Sequence, residues 1–156
     1  YALFVVKNLP LALFVIKWLL GRKEVCDLEW GEQKKTLGRL HLLFNPFAEG
    51  PRFANVEDGE NPTIEELVPI TNFILGFAPE VLGQPVNEEQ IKSMEKDTRN
   101  GLTHYNYEIS NEAHWLISAT VWKKRVYLCS VKASGRQWRT AQPKLRDTIA
   151  SFTVLK

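Results

Sequence analysis

The chain is poor in the groups that do chemistry. It has two cysteines, one methionine and three histidines among 156 residues. Cys26 and Cys129 stand far apart with no metal-ligand spacing around either, and no Cys-x-x-Cys pair occurs. A Gly-rich phosphate loop, a His-Glu-x-x-His pattern and a nucleophile elbow are all missing. An enzyme of this size needs a nucleophile or acid pair with a partner, and no spacing nominates one. Charge is scarce in net terms as well. A formal balance of +2 is too small for a nucleic-acid binder. Lysines and arginines are scattered among nearly as many carboxylates, and the densest basic run is Lys123-Lys124-Arg125. A long hydrophobic span is also absent. Tyr1 to Leu20 is almost wholly apolar, but Pro10 and Gly21 bracket only Leu11 to Leu20, against about twenty residues needed to cross a bilayer. The sequence starts without an initiator Met, as a processed or partly observed chain does.

What is present fits one domain with a core large enough to fold unaided. His114 to Trp122 alternates, with Trp115, Ile117, Ala119 and Val121 on one side and His114, Leu116, Ser118, Thr120 and Trp122 on the other. Both sides carry apolar groups, and so does Val126 to Val131. This pattern predicts a central hairpin covered above and below, with Lys123-Lys124-Arg125 at its tip. Asn100-Gly101 is a second hairpin signal, because both central positions of that turn need positive φ. Thr103, Tyr105, Tyr107 and Ile109 alternate after it with His104, Asn106, Glu108 and Ser110, and Gln90 to Thr98 is expected to be the preceding strand.

Leu37 to Phe44 reads as a strand ended by Asn45-Pro46, and Ala48 to Pro62 as a loop with a short strand at Arg52 to Val56. A helix is predicted from Thr63 or Pro69 to Phe77, with Ile70, Phe73, Ile74 and Phe77 as its core stripe and Ala78 to Val86 closing it. A second, short helix is predicted over Gln142 to Ser151, with Pro143 near its first turn and Leu145, Ile149 and Phe152 inward. Trp138 falls in the turn before it.

Candidate functional residues are few. His41 lies within an apolar strand and reads as structural. His104 sits on the polar side of its strand and is expected at the surface. His114, beside Glu112 at a strand start, is either a metal ligand or an exposed polar residue. Cys129 reads as a small buried hydrophobe, with a disulfide to Cys26 as the alternative. Five tryptophans favour a rigid domain, used in packing or on a partner. Tyr1 to Leu20 is open to three readings: a core element, a remnant of a targeting segment, or a segment docking on a membrane or partner.

The run from His114 to Val121, then Arg125-Val-Tyr-Leu-Cys129, Gly135-Arg-Gln-Trp138 and Ser151-Phe-Thr-Val154 resembles the PsbP family. The resemblance covers Gly101 to Val154 in detail, extends loosely back to Leu37 and does not reach residues before Trp30. It implies an α+β fold, an α-β-α sandwich around an antiparallel sheet of about six strands. On this basis residues 1–29 are an apolar N-terminal segment and 30–156 the PsbP-like domain. The resemblance also implies a non-catalytic extrinsic protein of the chloroplast thylakoid lumen. Its expected partner is photosystem II, with photosystem I or the NADH dehydrogenase-like complex as alternatives, as stable subunit or assembly factor. No tightly bound cofactor is expected, and calcium enters by family resemblance alone. Some family members are proposed to hold a divalent metal through a histidine at the position of His114 and an aspartate before the Arg-Trp corner; here no carboxylate stands near Gly135. Partner binding is expected at Lys123, Lys124 and Arg125, which would meet acidic lumenal loops, and at Phe14 and Trp18 of the apolar segment. A small enzyme or ligand-binding module using a cleft near His114 and Trp138 is the rival from a different class.

Overall fold

A computed structural model describes residues 62–123 and 125–155 with their side chains, and the backbone of three strands before them. These are β1 (Leu3–Val5), β2 (Glu24–Glu32) and β3 (Lys35–Pro46). The strand expected within 52–56, together with Phe14, Trp18 and Lys124, lies outside the described residues. The chain continues through α1 (Ile64–Leu67), α2 (Ile70–Leu82), β4 (Ile91–Arg99), β5 (Leu102–Ser110), β6 (His114–Trp122), β7 (Arg125–Ala133), α3 (Gly135–Ala150) and β8 (Thr153–Leu155).

The sheet runs β2-β3-β7-β6-β5-β4, antiparallel throughout, and β1 pairs with β8 in a separate ribbon. The expected α+β sandwich is what forms. β6 and β7 sit centrally, and the alternation read from β6 sorts its side chains between two cores. Trp115, Ile117, Ala119 and Val121 pack with Phe73, Ile74 and Phe77 of α2. Leu116 packs with Tyr127, Cys129, Leu145, Ile149 and Phe152 under α3. Phe73 and Phe152 are fully enclosed, so truncating either to alanine would cost about 3–5 kcal/mol.

Local signals explain the helix ends. Thr63 caps α1 in a capping box with Glu66, whose carboxyl is held below its ordinary range by the Thr63 backbone N–H. α2 does not close at Ala78. It carries Pro79 and ends at Gly83, whose φ of 76° only glycine adopts cheaply. Tyr105 and Tyr107 donate hydroxyl hydrogen bonds to the carbonyls of Val68 and Ile70, tying this layer to the sheet.

The last helix begins a full two turns earlier than its apolar stripe predicts. Ser134 accepts from the Gln137 N–H at 3.3 Å and donates its own N–H to the Gln137 side chain at 2.8 Å. Gly135 to Trp138 is therefore the first turn of α3, not a corner, and Pro143 lies mid-helix at an exposed position. There water can reach the carbonyl that proline leaves without a helical donor. The register also decides the cysteine question. Cys26 stands opposite Leu42, and Leu42 opposite Cys129. Two strand spacings, about 10 Å, exceed the roughly 7 Å limit between bridged Cα atoms. Cys129 is free and buried, and burial pushes its thiol pKa up.

Candidate functional site

The predicted site residues divide between the two ends of β6. His114 opens the strand and Trp122 closes it, about 27 Å apart at the ordinary rise of a strand. The structure therefore does not bring His114 together with the basic hairpin.

At the hairpin end, Trp122 pairs directly with Arg125, which fixes a two-residue loop of Lys123 and Lys124. Lys123 adopts φ of 48°, the left-handed region where a side chain is strained. Its ammonium lies 4.4 Å from the centre of the Trp122 ring, and Trp122 is itself half-buried against the core under α3. Cation–π attraction of about 0.5–1 kcal/mol offsets much of the backbone cost. The result is a tip at which Lys123 is exposed and carries positive charge.

At the other end, His114 lies flat on Trp138, with ring centres 4.7 Å apart and planes within 1°. Arg146 spans this region: it pairs with Glu108 at 2.6 Å and lies 5.4 Å from the Trp138 ring. Each ring covers a face of the other, so no gap separates His114 from Trp138. The His114 Nδ1 atom is buried without a partner. Among the described residues no three His, Cys, Asp or Glu side chains converge on a metal position. Calcium takes six to eight oxygen ligands, roughly, and the described residues around His114 do not fit it.

The strongest polar constellation among the described residues was not legible in the sequence. His104, expected at the surface, is fully buried under Phe152, whose ring meets it edge-on at 5.7 Å. Its Nδ1 lies 3.3 Å from the Ser118 Oγ, and its Nε2 has no partner. Burial first, and the Arg99 cation second, push its pKa down to about 4. Arg99 donates from Nη1 to the carbonyls of Ile149 and Phe152, both at 3.0 Å, and to Ser118 at 3.3 Å. Nη2 reaches Asn106 at 2.8 Å, and Nε donates to Asp97 at 2.9 Å. A guanidinium at the Ile149 carbonyl in the last turn of α3 and at the Phe152 carbonyl just beyond it satisfies both and complements the helix dipole.

A histidine within reach of a serine has the form of a base and its nucleophile. This pair cannot act as one. Both residues are sealed from solvent, and a histidine with a pKa near 4 is a weak base at neutral pH. An adjoining groove of about 210 Å³ contains Glu95, Asp97, Arg99, Glu108 and Arg146, but neither His104 nor Ser118 lines it. A larger groove, about 420 Å³, runs along α2 beside Leu67, Phe73, Leu75 and Phe77, with Asn72 its polar side chain. The smaller groove also carries Ser93, which stands opposite Glu108 across the β4–β5 pair, and among the described residues no hydrogen bond joins the two.

These elements define an α+β sandwich, with a basic hairpin at one end of its central strands and a histidine–serine pair enclosed within it. The PsbP family model matches residues 53–154, and the chain belongs to that family. It is 32% identical over 136 residues to PsbP domain-containing protein 4, chloroplastic, of Arabidopsis thaliana, a match that covers 87% of this chain and 49% of the relative. The chain thus spans about half the length of that curated relative. The solution structure of cyanobacterial PsbP (CyanoP) from Synechocystis sp. PCC 6803 shares the fold, with a TM-score of 0.54 and 15% identity over 81% of this chain and 73% of that one.

Proposed function

We propose that the protein is a non-catalytic accessory protein of the chloroplast thylakoid lumen that docks on a photosynthetic membrane complex, photosystem II foremost. The observation that carries this reading is the β6–β7 tip, where Lys123 is held in a costly conformation against Trp122 with its charge outward. Strained backbone persists where the surroundings hold it for a purpose, and here the purpose is a fixed cationic point for acidic lumenal loops. Family membership and the chloroplastic relative support the location. Lys124 and Arg125 extend the basic point, and Phe14 and Trp18 add apolar contact. Calcium in this reading belongs to the partner complex, and the domain acts on it by docking.

The test is copurification from detergent-solubilised thylakoids, with the bound complex identified. Photosystem II is expected in the eluate, and the Lys123→Glu/Lys124→Glu/Arg125→Glu variant is expected to lose it. Phe14→Ser/Trp18→Ser probes the apolar contribution without cutting β1, which a deletion of residues 1–20 would remove from its pairing with β8. Recovery only as a free monomer would overturn the reading.

A further inference from the structure

The charges that are scattered along the sequence are sorted in space. The helical layer over one face of the sheet, residues 62–91, holds Glu65, Glu66, Glu80, Glu88 and Glu89, all exposed, and no lysine or arginine. On the opposite face α3 carries Arg136, Arg139, Lys144 and Arg146 against the single carboxylate Asp147. Arg136, Arg139, Pro143 and Arg146 recur at three, four and three residues, so they form one exposed stripe, about 15 Å long at the rise of a helix.

The first two arginines of this stripe work against their own helix. Arg136 and Arg139 lie in the first turns, where the dipole repels cations, and no acidic residue stands there to compensate. They are also three residues apart, a spacing that sets like charges side by side. Among the described residues neither guanidinium has an ion-pair partner, whereas Arg146 has Glu108. Arg136 and Arg139 thus weaken the start of the helix and make no ion pair among the described residues, which leaves both guanidinium groups available to a partner.

We infer that the outer face of α3 is a docking surface for a carboxylate-rich protein surface. The inference rests on the docking reading above and adds the face that docks. Charge complementarity selects the partner, since a guanidinium fork matches a carboxylate in a bidentate manner. A lipid surface fits less well. Membrane-lying helices need exposed apolar side chains, and the exposed large hydrophobics among the described residues, Leu75 and Met94, are not on α3.

The full chain titrated with poly-L-glutamate at low salt tests this, with phosphatidylcholine vesicles containing phosphatidylglycerol as the lipid arm. The chain is expected to bind the polypeptide more tightly than the vesicles, and Arg136→Gln/Arg139→Gln is expected to weaken that binding about tenfold. The same variant should melt at a higher temperature than the parent, a gain that a residue serving the fold would not give. Wild-type affinity in the variant, or preference for the vesicles, overturns the inference. On washed thylakoid membranes, release of the Lys123→Glu/Lys124→Glu variant with full retention of Arg136→Gln/Arg139→Gln sinks the α3 surface and leaves docking itself intact. Failure of the parent chain to be retained at all sinks both.

Discussion

Two hairpins of the same loop length solve the same backbone problem differently. Asn100-Gly101 joins β4 to β5 with φ of 50° and 69°, and Lys123-Lys124 joins β6 to β7 with φ of 48° at Lys123. The first turn uses the residues that tolerate the left-handed region, and the second places a lysine there. Their surroundings account for the difference. The Asn100 amide donates to the Val154 carbonyl at 2.9 Å, and its neighbour Arg99 holds the end of α3, so this hairpin serves the interior. Lys123 sits over the ring of Trp122, which packs on the core, and is itself exposed to solvent. One turn is chosen for the fold and the other for what it presents.

That contrast can be broken at several points. Replacing Arg99 with methionine strips donors from the carbonyls of Ile149 and Phe152, and is expected to cost about 3 kcal/mol in chemical denaturation, the largest effect here. Acid should act on the same region through His104. Its folded pKa, about 4, lies below the unfolded value near 6.5, so the unfolded chain takes up the proton first. The stability His104 permits is complete above pH 6.5 and is lost as pH falls toward 4, by up to about 3 kcal/mol. Urea midpoints of the parent and of His104→Gln across that window should diverge, with the slope flattened in the variant. Gly101→Ala is expected to lose about 1 kcal/mol from its left-handed conformation. Lys123→Gly should change stability least, within about 0.5 kcal/mol, because relief of strain is offset by lost cation–π contact and by a more flexible unfolded chain. A large loss of stability in Lys123→Gly would show that this tip also serves the fold.

The elements that repeat a pattern over many residues were legible. Two-sided burial of β6, the Asn-Gly turn, the extended strand before it and the Phe73, Ile74 and Phe77 stripe of α2 all follow from periodicity and turn chemistry. The misreadings share a cause: a neighbour distant in sequence changes the meaning of a residue. His104 alternates with Asn106, Glu108 and Ser110 on what reads as a wet face, but Phe152 covers only the part of that face nearest the hairpin. Arg99 precedes a turn, where an exposed charge is ordinary, and nothing local links it to carbonyls some fifty residues on. The start of α3 was open to local reading, since Ser134 and Gln137 have capping-box spacing, but Pro143 resembles a helix start more loudly. The sorting of charge between layers depends on which helix covers which face, and no local pattern encodes that.

The strand order also sets how the molecule comes apart. β4 to β7 follow one another in the sheet as they do along the chain, and their short links make them quick to assemble. β3 joins β7 only across the whole intervening stretch, at a far greater loop-closure cost. Partial unfolding is therefore expected to begin with departure of the β2–β3 ribbon, read as early amide exchange there. What it uncovers is the backbone rim of β7, flanked by side chains apolar on both sides, and such a rim templates strand addition from any chain nearby. The seam that forms last is thus the place where aggregation would start.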